Sequence, residues 1–104
     1  MIEDLTKSMF AENVNSTFNL REEAGQTVAL ELVECQEGTP HPKFEQFSLL
    51  FRGPRATLLP QRTYEVEHAK LGTFLLFIVP IKQDENGIFY ESVFSRLLPQ
   101  KAGQ

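Results

Sequence analysis

The sequence offers little of the chemistry that cross-links or anchors a small protein. Its 104 residues contain one cysteine, Cys35, so no internal disulfide can form, which is compatible with a reducing compartment. No apolar stretch approaches the roughly 20 residues of a membrane-spanning helix. The N-terminus also lacks the basic-then-apolar order of a signal peptide. We therefore expect a soluble, cytoplasmic protein with no membrane partner.

Positive charge is scarce as well. Lys and Arg number 10 against 14 Asp and Glu residues, which gives a net charge of −4. Nucleic acids and anionic membranes bind clustered cations, because these displace counterions or meet lipid headgroups. The composition therefore predicts no nucleic-acid partner, and it favours solubility.

Tryptophan is absent, but 9 Phe and 2 Tyr residues supply large side chains for a core. The apolar share of 41% and the charged share of 23% are typical of a soluble globular domain, and the length suits one domain. We predict a single domain over residues 1–104, with an N-terminal helix at 2–12, a β core at 15–96 and a flexible tail at 97–104.

Turn residues divide the chain into short apolar segments at nearly regular intervals. Nearly every Gly and Pro lies at a segment boundary, so turn chemistry and hydrophobic pattern agree. Alternation is clearest in the second segment, where Val28, Leu30 and Leu32 share one face. Six strands are predicted, at residues 15–21, 27–35, 47–51, 63–68, 72–79 and 88–94.

One helix is predicted before the strands. Ile2, Leu5 and Met9 are spaced i, i+3 and i+7, which places them on one stripe of a helix. Asp4 is a suitable N-cap for it. The alternative is a frayed terminus, because helices this short are marginal alone.

Six short antiparallel strands predict an all-β fold: a small six-stranded antiparallel barrel or rolled sheet with a short N-terminal helix. Closure of the sheet removes exposed strand edges. About eight strands already give an interior that is filled by side chains or one small ligand, so six strands leave little space. We therefore do not expect a ligand cavity in the interior.

The fifth predicted strand is apolar on both faces. Its alternate residues form two rows, which are Phe74, Leu76 and Ile78 on one face and Leu75, Phe77 and Val79 on the other. Such a strand must be covered on both sides, either by the N-terminal helix or by another chain. Uncovered apolar patches usually mark interaction sites. If the helix leaves them uncovered, we expect Leu75, Phe77 and Val79 to contact a protein partner or a second copy of the chain.

Three arginines bracket a tight loop that contains no acidic residue: Arg52, Arg55 and Arg62. An arginine fork binds a carboxylate or phosphate in bidentate fashion, so this loop is a candidate anion site. The competing interpretation pairs these arginines with carboxylates on neighbouring strands, namely Glu45, Glu65 and Glu67.

Reactive groups are few. Cys35 could act as a nucleophile with His41 or His68 as its base, but no known nucleophile motif surrounds them. The structural interpretation makes Cys35 a semi-buried thiol and makes His68 a cap of the core edge through a hydrogen bond. The spacing of these three residues matches no zinc pattern. We therefore expect no metal, no cofactor and no catalytic residue.

A set of turn and core segments resembles a known family. The segments read FSLLFRGP at 47–54, LLPQ at 58–61, TY at 63–64 and EH at 67–68. They look like the core of an uncharacterised family of short bacterial proteins, and the likeness extends over residues 10–96. The resemblance implies an accessory part of a phage-tail-like gene cluster, and it brings no catalytic residue to this chain.

These observations favour a non-enzymatic structural or protein-interaction domain, an accessory component of a larger bacterial, phage-tail-like assembly. Two alternatives stay open. One is a β module that binds a small anion or ligand through Arg52, Arg55 and Arg62. The other is an unrecognised hydrolase built around Cys35 and His68.

Overall fold

One helix and six strands make up the protein. The computed structural model describes residues 6–22, 25–39 and 41–97. The elements in chain order are α1 (Lys7–Ala11), β1 (Thr17–Arg21), β2 (Thr27–Glu37), β3 (Phe44–Gly53), β4 (Arg62–His68), β5 (Gly72–Asp84) and β6 (Gly87–Leu97). Each of the six predicted strands overlaps one of these strands.

The strands form a single antiparallel sheet that closes on itself in the order β1-β2-β3-β6-β5-β4. The all-β prediction is therefore confirmed. Two three-stranded meanders, β1-β2-β3 and β4-β5-β6, meet along two seams. The β3–β6 seam contains ten residue pairs, whereas the β1–β4 seam contains three, centred on Leu20↔Val66.

Most strands run longer than predicted, and β5 shows why. The prediction ended the fifth strand at Val79, because Pro80 lacks the N–H that a strand ladder needs. β5 instead continues through Pro80 to Asp84. Its register with β6 shifts between Pro80 and Lys82, and the proline is tolerated at this irregularity.

β5 and β6 pair along only part of their lengths. Residues 79–84 of β5 pair with residues 87–91 of β6. Further along, among the described residues, 72–78 pair only with β4 and 92–97 pair only with β3. The two strands therefore border an interruption in the ring of backbone hydrogen bonds, which we call the β5–β6 opening.

Alternate residues of every strand point into the ring and form one core. The predicted common face of Val28, Leu30 and Leu32 is confirmed, since all three are buried. The buried side chains that join them from the strands include Phe18, Leu20, Phe47, Leu49, Phe51, Tyr64, Val66, Phe74, Leu76, Ile78 and Tyr90.

The connection between β3 and β4 folds back onto this core. Leu59 is fully buried, and its N–H donates to the Tyr90 hydroxyl over 3.0 Å. Tyr90 in turn donates to the carbonyl oxygen of Thr57 over 3.3 Å. Tyr64 donates to the carbonyl oxygen of Pro60 over 2.7 Å. Two core tyrosines therefore fasten the loop, because each supplies a hydrogen-bond partner that its backbone would otherwise lack.

The helix α1 adds one aromatic ring to the core. Thr6 is the N-cap, and its side-chain oxygen accepts a hydrogen bond from the Met9 N–H over 3.3 Å. Phe10 is fully buried, with its ring centre 5.4 Å from that of Phe94 and 6.0 Å from that of Phe74. Phe10 therefore lies between β5 and β6, on the inner side of the β5–β6 opening.

The predicted helix at 2–12 is found as one short element, and its N-cap is Thr6. The predicted cap Asp4 lies outside the described residues, as do Ile2 and Leu5. After the helix, Asn15 has a left-handed backbone with φ of 74°. That conformation is incompatible with a strand, so β1 begins two residues later than predicted.

β6 extends to the first residue of the predicted tail. Leu97 closes β6, whereas the predicted tail began at this residue, and 98–104 lie outside the described residues. In the described part of the chain, no helix has the length and apolar character to span a bilayer. The single domain over 1–104 stays a prediction.

Candidate functional site

The outer surface of β5 carries the apolar row that the sequence singled out. Leu75 is 59% exposed and Phe77 is 49% exposed. Val79, the third predicted contact residue, is half-buried. The intervening residues Phe74 and Leu76 point into the core. Two of the three candidate residues are therefore large apolar side chains at the surface.

Of the two covers considered for this row, the described part of the N-terminal helix packs into the interior instead. α1 has five residues, and its one buried residue is Phe10. The Phe10 ring packs inside the closed sheet against Phe18, Phe47 and Phe74, with ring centres 6.3, 5.9 and 6.0 Å away. Because this side chain enters the interior, the buried aromatic ring of α1 does not cover the outer side of β5.

β6 continues the apolar surface across the β5–β6 opening. Val93 is 71% exposed and lies two residues beyond Glu91, which pairs with Val79. Phe77 lies two residues from Val79 in the other strand. Since side chains alternate along a strand, Val93 and Phe77 lie on the same outer surface, one on each side of the opening. We call Leu75, Phe77 and Val93 the β5–β6 face.

Sequence reasoning missed Val93. The outward residues of β6 include Glu91 and Ser95 as well as Val93, so no apolar run marks this row. One signal was available, because Val93 and Phe94 are consecutive in a strand and must point to opposite sides. Phe94 packs against the core, which leaves Val93 outside.

Carboxylates border the β5–β6 face. Glu65 and Glu67 alternate along β4, the strand next to β5, and both are exposed. Glu91 pairs with Val79 at the point where β5 and β6 meet. Glu65 forms an ion pair with Arg21, whose Nε lies 3.5 Å from Glu65 Oε1. The apolar face is therefore set in a mainly negative border.

The three arginines of the candidate anion site have separate surroundings. Arg52 forms an ion pair with Glu31, its cross-strand neighbour on β2. The guanidinium carbon of Arg62 lies 5.6 Å from the centre of the Tyr64 ring, and Arg55 is exposed in the turn after β3. Arg52 thus pairs with a carboxylate, as the competing interpretation holds, but with one outside the three that it named.

His68 is buried and held in one tautomer. It is 4% exposed, and its Nδ1 accepts hydrogen bonds from the backbone N–H groups of Lys70 and Leu71 over 3.0 and 3.1 Å. The proton of the neutral ring is therefore on Nε2, which lies 2.9 Å from Ser16 Oγ. The Ser16 hydroxyl donates onward to the carbonyl oxygen of Asn13. The predicted role of His68 as a hydrogen-bonded cap of the core edge is confirmed.

This arrangement opposes nucleophilic catalysis by Ser16. A general base must present a free lone pair to the hydroxyl, whereas His68 presents its Nε2 proton. Burial, and secondarily the charge of Lys70, lower the pKa of His68, so the neutral ring is favoured. No sequence pattern indicates this pair, because Ser16 precedes β1, His68 ends β4, and only closure of the sheet brings the two residues together.

Cys35 and the histidines have different neighbours. Cys35 Sγ lies 3.9 Å from the carbonyl oxygen of Lys7, and burial raises the pKa of the thiol, which disfavours the nucleophilic thiolate. His41 Nδ1 accepts a hydrogen bond from the Lys43 N–H over 3.0 Å, on the exposed β2–β3 connection. Within the described ranges, no group of three or more His, Cys, Asp or Glu residues is placed to hold a metal ion.

Comparison with known proteins agrees with the resemblance found in the sequence. The family model for a domain of unknown function, DUF6916, matches residues 5–94. That span includes α1, β1 to β5 and most of β6. No curated protein and no solved structure gives a significant match.

Proposed function

Because the chain belongs to the DUF6916 family, domains of unknown function, we propose its role from its surface. It is a non-enzymatic protein-interaction domain that binds a partner protein through the β5–β6 face. In this proposal the domain is an accessory component of a larger bacterial, phage-tail-like assembly, as the resemblance to the uncharacterised bacterial family implies.

One observation carries the proposal. Leu75, Phe77 and Val93 are each about half or more exposed on adjacent strands, although the inward residues Phe74, Leu76 and Ile78 of β5 are buried. Apolar side chains that stand singly at a surface need no explanation, but a grouped set usually marks an interaction site. Burial of such side chains in an interface contributes on the order of 25 cal/mol per Å² of apolar area.

The border of the face favours a different protein over a second copy. Two copies that pack face to face bring the carboxylates of Glu65, Glu67 and Glu91 toward the same carboxylates of the partner copy. Like charges across an interface are unfavourable, and each copy already carries a net charge of −4. A partner with Lys or Arg around an apolar centre complements this surface.

The contacts of His68 and Arg52 argue against the hydrolase and anion-binding alternatives. The hydrolase alternative needs Cys35 beside His68, but His68 bonds Ser16 through a protonated nitrogen. The anion alternative needs Arg52, Arg55 and Arg62 together, but the fork of Arg52 is engaged by Glu31. Neither alternative is supported by an observation as specific as the exposed apolar face.

The test uses the double variant Leu75→Ser/Phe77→Ser. Its matched control is Leu58→Ser, which removes an equally apolar side chain that is 63% exposed on the β3–β4 loop. Proteins captured from native cells by the wild-type chain are quantified by mass spectrometry against both variants. We expect a specific partner to be lost from the double variant, by about tenfold or more, and retained by the control.

Two results contradict the proposal. One is a partner that binds the double variant and the wild-type chain equally. The other is a set of captured proteins that Leu58→Ser also loses, because then any exposed apolar side chain explains the capture. Light scattering across a concentration series separates self-association from hetero-association in the same samples.

A further inference from the structure

The β5–β6 opening presents strand backbone at the surface. Residues 72–78 of β5 use one edge to pair with β4, and residues 92–97 of β6 use one edge to pair with β3. In the described part of the chain, the other edge of each segment has no strand partner. Unpaired edges are ready templates for pairing with another chain, and proteins usually cover or charge them.

The opening is backed by a packed core. Phe10 lies behind it, against Phe74 of β5 and Phe94 of β6, with ring centres 6.0 and 5.4 Å apart. Phe94 also stacks on Phe47, with ring centres 4.8 Å apart and planes within 4°. A chain that pairs with the edges therefore meets a surface already built, and its binding requires no unfolding of the interior.

The residues of the β5–β6 face belong to the same strand segments whose edges are unpaired. Leu75 and Phe77 belong to the unpaired segment of β5, and Val93 belongs to that of β6. A strand added along either edge places every second side chain on the outer surface beside these residues. Backbone pairing then supplies affinity, and the alternate side chains supply specificity, as in known strand-addition complexes.

We infer that the β5–β6 opening binds an extended segment of a partner protein as an added strand. The segment has apolar residues at alternate positions, and it has Lys or Arg at its ends. Charge complementarity selects this occupant, because Glu65, Glu67 and Glu91 lie around the site and a second copy brings the same acidic border. This inference rests on the proposed function and names the class of partner.

The test uses the full chain and three short synthetic peptides. The first alternates Val and Thr between paired Lys residues. The second has Glu in place of every Lys. The third keeps the first sequence but carries N-methyl groups on alternate amides, which removes strand hydrogen bonds and leaves the side chains unchanged. Binding is measured by fluorescence anisotropy, and the contact is located by amide hydrogen exchange.

We expect the Lys peptide to bind and to protect amides within residues 72–78 or 92–97. Exchange of Lys for Glu, or N-methylation, should each weaken binding about tenfold or more. Phe77→Ser should weaken binding of the Lys peptide, whereas the control Leu58→Ser should not.

Failure of the inference is distinguishable from failure of the proposed function. If the N-methylated peptide binds as well as its parent, or if the Lys peptide does not bind, the added strand is ruled out. The proposed function still stands in that case, provided that partner capture depends on Leu75 and Phe77. Concentration-dependent dimers that Phe77→Ser abolishes identify a second copy as the occupant and overturn the inference.

Discussion

Two groups of large apolar side chains differ only in the side of the sheet that they occupy. Phe74 and Phe77 are three residues apart in β5, yet Phe74 is 4% exposed and Phe77 is 49% exposed. Phe74 contacts the rings of Phe10 and Phe18, whereas Phe77 lies on the β5–β6 face, which the described residues leave exposed. The inner group therefore stabilises the fold, and the outer group is available for binding. Substitutions can test this division from both sides.

The largest effect should come from Phe10→Ala. Phe10 contacts four other phenylalanine rings, and its loss leaves a cavity between β5 and β6. Truncation of a buried Phe typically lowers the free energy of unfolding by about 3–5 kcal/mol. Urea unfolding followed by circular dichroism measures the difference. Phe77→Ala is the control on the outer face, and equal losses in the two variants would contradict the division between the groups.

The turn that joins β5 to β6 should be the next most sensitive position. Gly87 has φ of 146°, a conformation that side chains rarely adopt, and an added Cβ would overlap the carbonyl oxygen of Gly53. We expect Gly87→Ala to lower the free energy of unfolding by about 2–3 kcal/mol. Gly72→Ala is the control, because Gly72 also has a positive φ, of 83°, but has open space around it. It should cost roughly 1 kcal/mol, and equal losses would show that backbone strain alone matters.

Tyr90→Phe tests a polar contact at the core. The change removes the acceptor of the buried Leu59 N–H while keeping the ring. An unsatisfied buried donor costs about 1–3 kcal/mol, so thermal unfolding should show a lower Tm. Tyr64→Phe removes a hydroxyl that donates to the carbonyl oxygen of Pro60, an exposed residue, and water can replace it there. A larger loss in Tyr64→Phe than in Tyr90→Phe would count against this assignment.

The pH dependence of stability that arises from His68 should be a smaller effect. Burial lowers its pKa in the folded chain, so below the ordinary value of about 6.5 the unfolded chain binds a proton that the folded chain resists. Stability is therefore complete above about pH 6.5 and falls as the pH drops from there toward the lower folded pKa, by at most about 1.4 kcal/mol per pH unit. Urea unfolding between about pH 7.5 and 5.5 measures it, a range of roughly one unit either side of the ordinary value. His68→Gln should flatten the decline, and an unchanged slope would assign it to other groups.

The smallest change in stability should come from Leu75→Ser/Phe77→Ser. Both side chains are largely outside the core, so the free energy of unfolding should change by about 0.5 kcal/mol per site or less. The same variant should lose its partner. A loss of stability comparable with that of Phe10→Ala would mean that the β5–β6 face belongs to the fold rather than to an interface.

Local pattern predicted the strands well. Turn residues mark most boundaries, with Pro80 the exception, and the alternation of Val28, Leu30 and Leu32 along β2 carries over directly into burial. His68 was also assigned correctly, because it continues the inward row of Tyr64 and Val66 at the end of a strand. These features depend on neighbours within a few residues, which the sequence displays.

The remaining features depend on pairing between distant segments. Arg52 meets Glu31 because β2 and β3 adopt one particular register, and a bulge between Leu32 and Glu34 changes that register along the way. The apolar stripe that contains Met9 did not predict which side of α1 faces the core, because the neighbouring Phe10 is the residue that is buried. Which of the two side chains enters the core depends on the space that the six strands leave. Val93 was missed for a related reason, because the opening beside it exists only in the assembled ring.

The unequal seams of the ring have a consequence during synthesis on the ribosome. β1, β2 and β3 emerge in order and can pair as neighbours, but β1 cannot meet β4 until the intervening strands and the β3–β4 loop have left the exit tunnel. Until then Leu20 and the rest of the inward row of β1 have one open flank, and the three-pair junction at Val66 forms only after most of the chain has been translated. The nascent first half therefore exposes apolar side chains of β1 that the β1–β4 seam covers in the finished ring.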